Sequence, residues 1–386
     1  MRRRSDARSD ATASTRSGRR ARVAAGAPAI AAAALALLAA VAAGCRSASV
    51  RPPSPPPPWE LANPIVPLPA PPLGIDVDLA ALGATPEKVR LGRWLFYDAR
   101  LSVDGTVSCA TCHRPEHAFS EPLPVSTGVG GRTGTRKAPT VVNSGFPVSP
   151  VWFWDGRASS LAEQAKGPME NPVEMANTHP RVVATISGVR SYARYFREAY
   201  GDERIDIDRI ADAIAAYEAT RLSGGSAFDR FDAGDETALS ALAQEGRDLF
   251  FGAARCNACH LGPNFSDSKF HNLGVGFEWR PLRAALDSFA DPGRFAVTKV
   301  EKDLGAFKTP TLRDVTRRAP YMHDGSVATL EEAVFFYVRG GNQNPWLAPE
   351  MDEVRLAPWQ VGAVVAFLEA LDGTGYQDVP PAAFPE

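Results

Sequence analysis

Cysteine and histidine are scarce in this 386-residue chain, which holds five of the first and six of the second. Four of the cysteines and two of the histidines fall in two places, SCATCH at Ser108–His113 and RCNACH at Arg255–His260, about 150 residues apart. Only Cys45 is left over, so no framework of structural disulfides can be built from the remainder. Net charge is lacking as well: 42 basic against 44 acidic residues leave a formal charge of −2. That balance excludes a broad basic face for nucleic acid and a net field toward an anionic membrane, so partners must be recognised locally. Alternating apolar runs are few, which counts against a sheet-built core.

One long apolar stretch exists, and it lies at the N-terminus. Arginines cluster from Arg2 to Arg22, and residues 23–43 read VAAGAPAIAAAALALLAAVAA before Gly44 and Cys45. A basic start, an apolar run and small residues before a cleavage point make residues 1–44 an expected export signal, with an Ala-rich membrane anchor as the competing reading. Cys45 resembles a bacterial lipoprotein acylation site, although Ala42 stands where leucine is usual. Acylation would tether the protein on the periplasmic side, and simple cleavage would release it. Residues 45–84 are proline-rich (RPPSPPPPW, NPIVPLPAPP) and read as an extended tether. Ordered structure is expected from Thr85-Pro86, where Thr can cap a helix and Pro suits its first turn.

Beyond Pro86 the periodicity is helical. In DIDRIADAIAAYEATRL, Ile207, Ile210, Ala211, Ile214 and Tyr217 recur at three- and four-residue intervals on one face. Ser160 with Glu163, and Thr329 with Glu332, match the capping box. Gly167-Pro168 and Gly340-Gly341 are the expected stops. PWQVGAVVAFLEALDG from Pro358 reads as a last core helix. Long Gly/Pro-rich loops, 121–150 and 262–310, are the kind that wrap a ligand or carry function. The length allows roughly two domains. We place them at residues 85–232 and 233–386, cut near Asp229–Glu236 where the apolar pattern breaks. Each has a helix running into one Cys-x-x-Cys-His, as LGRWLFYDARLSVDGTVSCATCH and EGRDLFFGAARCNACH, which suggests a diverged internal repeat. The expected fold class is all-α: two cytochrome c-like domains with long connecting loops.

Cys-x-x-Cys-His is the attachment signature of c-type haem, with two cysteines for the vinyl groups and a proximal histidine. Zinc would need a paired second half close by, and a thioredoxin-like pair would need a βαβ setting. Neither is present, so two covalent haem c groups are expected on Cys109, Cys112 and His113 and on Cys256, Cys259 and His260. Two functions of different class follow. An electron carrier would have both irons six-coordinate; an enzyme would keep one iron open.

From about Lys88 to Leu371 the chain resembles the bacterial di-haem cytochrome c peroxidases and their relative MauG, which matures a tryptophan-derived cofactor. The segments that carry the likeness are LGRWLFYDARLS, CATCH, RKAPTVVNS, FWDGRASSLAEQAKGPMENPVEM, CNACH, FKTPTLRDV and APYMHDGSVATLEEAV. The resemblance implies that the N-terminal haem handles hydrogen peroxide and the C-terminal haem feeds or stores electrons. Many members hold a removable histidine in the loop where this chain has Val129, sixteen residues past His113. Valine cannot bind iron, so the resemblance implies an open site that needs no reductive activation, as in MauG. His117, four residues past His113, reads as a surface or structural residue.

The resemblance further assigns Glu174 as the proton-moving carboxylate, with Gln164 and Pro168 beside it; Glu170 is a nearby acid without motif support. One carboxylate that reaches both peroxide oxygens can take a proton from one and return it to the other. Trp154 matches the tryptophan that the family sets between its haems, against the plainer reading of a core aromatic. The second haem's further ligand is a methionine in the peroxidases and a tyrosine in MauG. Here the matching place, fourteen residues past His323, is Tyr337. A phenolate is a hard anionic donor that favours oxidised iron, whereas methionine raises the potential. Met322 and Met351 are alternatives, as is a buried, non-ligating Tyr337. The family also binds calcium, and by motif position Asn143 with the carbonyls of Arg318 and Pro320 would hold it. The implied partners are hydrogen peroxide with a small periplasmic cytochrome c or cupredoxin as donor, or else a protein substrate whose side chains are oxidised. Nucleic acid is not expected, a membrane only through a lipid anchor, and a homodimer is suggested by the family.

Overall fold

Helices dominate residues 55–146, 151–279 and 288–386, which the computed structural model describes. The expected export signal, Cys45 and the first part of the tether lie outside them. Among the described residues no helix is long and apolar enough to cross a membrane.

The principal helices run α1 (Pro58–Ala62), α2 (Pro86–Tyr97), α3 (Cys109–Cys112), α4 (Leu161–Glu170), α5 (His179–Gly188), α6 (Arg190–Tyr200), α7 (Ile207–Ala219), α8 (Ala227–Asp232), α9 (Ala241–Phe251), α10 (Phe295–Thr298), α11 (Leu330–Val338) and α12 (Pro358–Glu369). The fold is mostly helical but not purely so. An antiparallel pair, β1 (Phe270–Asn272) with β2 (Ala306–Lys308), places His271 opposite Phe307 inside a loop that reads as irregular. Three residues per strand are too few for a period-2 signal to be read.

Caps fall where the side chains demand them. Thr85 Oγ1 accepts from the Lys88 amide, Ser160 from Glu163, and Thr329 and Glu332 form a reciprocal box. Gly167-Pro168 does not stop α4, which runs on to Glu170. Proline removes one donor, but the orphaned carbonyls of the last turn are taken up by the returning loop. Asn171 donates to Gly167 O, Met175 to Pro168 O and Asn177 to Met169 O. Nor does the Pro-rich stretch stay extended and free. Ile75, Val77, Leu79 and Ala84 are buried in the core, and Trp59 Nε1 on α1 donates to Tyr195 Oη at 2.6 Å. Ordered packing therefore begins well before Thr85.

The repeat seen in the sequence has a physical counterpart. A Cβ placed on Gly92 of α2 would lie 1.7 Å from Ala213 O and 3.0 Å from Tyr217 Cβ of α7. A Cβ on Gly246 of α9 would lie 1.8 Å from Ala363 O and 3.0 Å from Phe367 Cβ of α12. In each case a helix leading into Cys-x-x-Cys-His presses backbone to backbone on a later helix through a single glycine. Two hydrophobic clusters form around these crossings, one holding Trp94, Phe96, Ile214 and Tyr217, the other Phe250, Phe265, Val364 and Phe367. The stretch 229–236 is no free linker. Asp229 in α8 is buried and takes two 2.8 Å bonds from the equally buried Arg313 guanidinium, a geometry that leaves neither charge unpaired.

Candidate functional site

Each Cys-x-x-Cys-His motif folds into a tight turn. Ser108 precedes α3, its amide donating to Thr111 Oγ1 at 2.9 Å, and Cys256–Ala258 forms a 3₁₀ turn. Cys112, His113, Cys256, Cys259 and His260 line one cavity of about 930 Å³, with Cys109 one turn before. None of the four cysteines is paired in a disulfide, and all are half-buried.

The two histidines are held in the same way. His113 Nδ1 lies 3.1 Å from Phe119 O and His260 Nδ1 lies 2.9 Å from Phe265 O. A carbonyl only accepts, so Nδ1 must carry the proton and Nε2 keeps its lone pair. Both phenylalanines sit at positive φ, 53° and 48°, a left-handed conformation that sets the direction of each carbonyl. Burial lowers both imidazole pKa values, that of His260 to about 4, so each ring is neutral at physiological pH. Oriented neutral imidazoles beside paired thiols are the donor set of c-type haem, and the residues fit the group.

On the first side of the cavity, Gln164 and Pro168 from α4 and Glu174 from the following loop line the wall together. Burial raises the Glu174 pKa, partly offset by Asn171, which donates to its carboxylate, and by the Arg157 charge. Val129 does not line this cavity but positions the wall: its amide donates to Glu174 O at 2.8 Å. Gly128 beside it is packed so closely that a Cβ would lie 2.3 Å from Val173 O. His117 and Glu170 are likewise absent from the lining.

Trp154 lines the cavity with Nε1 donating to Lys137 O at 2.9 Å, and its carbonyl accepts from Lys308 of β2 at 2.8 Å. It is thus fixed at both ends. Next to it Arg136 is paired with Asp155 and Asp291, and Phe307 stacks on His323 with centroids 3.6 Å apart. On the far side Tyr337, in the last turn of α11, lines the cavity together with Met322 and Met351. Burial pushes the Tyr337 phenol up, so a phenolate there requires a cation beside it. Asn143, Arg318 and Pro320 also reach this cavity. The Asn143 side chain is tied to Ser223 and Asn264, its Oδ1 accepting from the Ser223 amide at 2.8 Å.

Two groups in the wall carry no sequence motif. His271 in β1 bonds Asp267 at 2.9 Å, and that partner raises its pKa. Glu218, at the end of α7, is buried and faces the cavity near Cys109, with burial alone pushing its pKa to about 8. Because the folded state then binds more protons than the unfolded chain, Glu218 costs stability as pH rises toward about 8. Glu218→Gln is therefore expected to flatten the decline in melting temperature between about pH 4 and pH 8, as thermal melts of the haem-loaded protein would record.

A mostly helical chain with two Cys-x-x-Cys-His turns on one cavity defines a di-haem c-type protein. Comparison gives the family. A family model described as "Di-haem cytochrome c peroxidase" matches residues 86–237. The chain is 41% identical over 288 residues to the methylamine utilization protein MauG of Methylorubrum extorquens, covering 74% of this chain and 78% of that one. It is 40% identical over 253 residues to the cytochrome c551 peroxidase of Nitrosomonas europaea, covering 65% and 73%. A solved MauG-like protein associated with microbial copper homeostasis superposes with a TM-score of 0.70 at 30% identity, covering 82% and 97%. The chain belongs to the bacterial di-haem cytochrome c peroxidase/MauG family, is an oxidoreductase of that kind, and by family carries two c-type haems.

Proposed function

We propose that the protein is an exported di-haem c peroxidase that reduces hydrogen peroxide with electrons from a small periplasmic cytochrome c or cupredoxin. Its two haem domains meet near residue 232, with residues 75–84 and the C-terminal tail packed on the first of them, and Cys45 anchors it as a lipoprotein. The observation that carries the reading is a half-buried carboxylate, Glu174, lining the same cavity as Gln164, Pro168 and His113. Cys109, Cys112 and His113 would hold the first haem, which would supply the redox centre for peroxide. Glu174 would accept a proton from one peroxide oxygen and return it to the other. Gln164 and Pro168 shape the space and limit water. Trp154, clamped at its indole N–H and its carbonyl, carries charge between the two haem sites. Tyr337 and His260, which line the same cavity, would both hold the second haem. Asn143 with the carbonyls of Arg318 and Pro320 holds a calcium ion. Sustained peroxide consumption with reduced cytochrome c tests the reading, and a resting ferric protein with no high-spin signal would favour a plain electron carrier instead.

A second reading is favoured by two residues. Val129 in the loop and Tyr337 in α11 match the MauG pattern of an open first site and a tyrosine-ligated second one, which suits oxidation of side chains in a partner protein. Slow turnover with a long-lived doubly oxidised state separates this maturase from the scavenger. For the ligand itself, Tyr337→Met is expected to change the low-spin EPR signal of the resting protein and to leave the high-spin signal as it was. An unchanged low-spin signal would pass ligation to Met322 or Met351.

A further inference from the structure

Aromatic rings lead from His113 to the C-terminal tail. Phe96 lies 6.5 Å from the His113 ring and 5.1 Å from that of Tyr217, centroid to centroid. Phe119, whose carbonyl orients His113, lies 6.5 Å from Tyr217. Tyr217 is fully buried, yet its hydroxyl has a charged acceptor: it donates to Asp378 Oδ2 at 2.5 Å. Asp378 belongs to the tail and is kept ionised by Arg93, whose Nε and Nη2 donate to it at 2.8 and 2.9 Å. The Arg221 guanidinium stands 4.7 Å from the Tyr217 ring centroid. The Tyr97 hydroxyl is 3.3 Å from that of Tyr217.

We propose that Tyr217 is a redox-active tyrosine that drains oxidising equivalents from the first haem when peroxide arrives and no external donor does. The inference rests on the peroxidase reading. Reduction of hydrogen peroxide to two waters takes two electrons and two protons; in the haem-loaded protein one electron would come from the haem pair and the other from Tyr217, and both protons would be taken up from solvent by way of Glu174. As the electron leaves Tyr217, its O–H bond breaks and the proton forms a new O–H bond on Asp378, leaving a neutral phenoxyl radical.

The surroundings favour that coupled course over simple electron loss. A cationic ring beside Arg221 would be repelled, so the electron cannot leave while the proton stays. An oxidised phenol is a strong acid, so the Asp378 carboxylate takes the proton even though Arg93 holds its own pKa low. The same two arginines make Tyr217 hard to oxidise, which reserves the route for strongly oxidising conditions. Its service is protective: Met322 and Met351 line the cavity and are sulfoxide-forming targets.

The test uses the ferric protein loaded with both haems, mixed with hydrogen peroxide without donor and frozen for EPR. The expected result is an organic radical whose signal narrows when ring-deuterated tyrosine is incorporated, is lost in Tyr217→Phe and survives in Tyr97→Phe. Asp378→Asn, which cannot take the proton, lowers its yield, and Tyr217→Phe raises sulfoxide at Met322 and Met351 by peptide mass spectrometry. An undiminished radical in a haem-loaded Tyr217→Phe, or, should that variant not fold, in Asp378→Asn, overturns the inference. Turnover with reduced cytochrome c in the same preparations keeps the two readings apart. If it persists in Tyr217→Phe while the radical is unchanged, this inference alone falls; a parent without turnover takes the peroxidase reading with it.

Discussion

Glu174→Gln is expected to lower peroxide turnover by roughly 10²- to 10⁴-fold, the usual range for removing a positioned acid–base group. The amide keeps the size of the side chain and can still accept from Asn171, so the cavity wall keeps its shape. What it loses is the ability to hold the proton that must travel between the two peroxide oxygens. Binding of small anionic ligands to the resting ferric protein and its high-spin signal should stay near the parent's, because neither requires a proton to be moved. Stopped-flow mixing with peroxide measures the first quantity and EPR the second. Turnover within threefold of the parent would remove Glu174 from the mechanism and turn attention to Glu218.

The pH profile carries the same assignment independently. Glu174 takes up the peroxide proton only when ionised, and burial raises its pKa above the ordinary carboxylate range of about 4. Activity is therefore expected to rise with pH through an acid limb that lies above that range, and the limb should vanish in Glu174→Gln. Asn171→Ala would move the limb further up, since Asn171 donates a hydrogen bond that favours the charged form.

Much of this was open to reading in the chain. The two Cys-x-x-Cys-His motifs announce themselves, and the cap residues Thr85, Ser160 and Thr329 work locally, so tertiary context had little to override. Gly92 and Gly246 recur at matching places before the motifs, and the same helix crossing depends on each. What escaped was set by distant partners. Pro168 stays helical because the amides of residues 171–177 return to satisfy the last turn, and no local rule anticipates that. Ile75, Val77 and Leu79 alternate in a way that fits burial, but the prolines before them made the stretch read as tether. Glu218, just past the apolar face of α7, carries no motif, and only the packing around the cavity reveals it as buried. Asp378 lies in a tail with no motif at all, and its role depends on Arg93, 285 residues away.

Gly92→Ala and Gly246→Ala are each expected to destabilise the protein by at least about 3 kcal/mol, the upper range for overpacking. The sign is informative, since alanine within a helix is ordinarily favoured over glycine by roughly 1 kcal/mol. Here the added methyl would sit 1.7 Å from Ala213 O or 1.8 Å from Ala363 O. A backbone carbonyl locked in its own helix cannot swing aside as a side-chain tip could. The helices must separate, and the turn that follows α2 or α9 moves with them, carrying Cys109–His113 or Cys256–His260. Gly362→Ala in α12 is the control: a Cβ there meets nothing within 4 Å, so the ordinary preference applies and the melting temperature should hold or rise. Thermal melts with haem quantification read the comparison. Gly92→Ala is expected to impair attachment at the first motif more than at the second, and Gly246→Ala the reverse. If both variants melted with Gly362→Ala, the two crossings would have room to give. The histidine-bearing turns would then owe their placement to the Phe119 and Phe265 carbonyls alone.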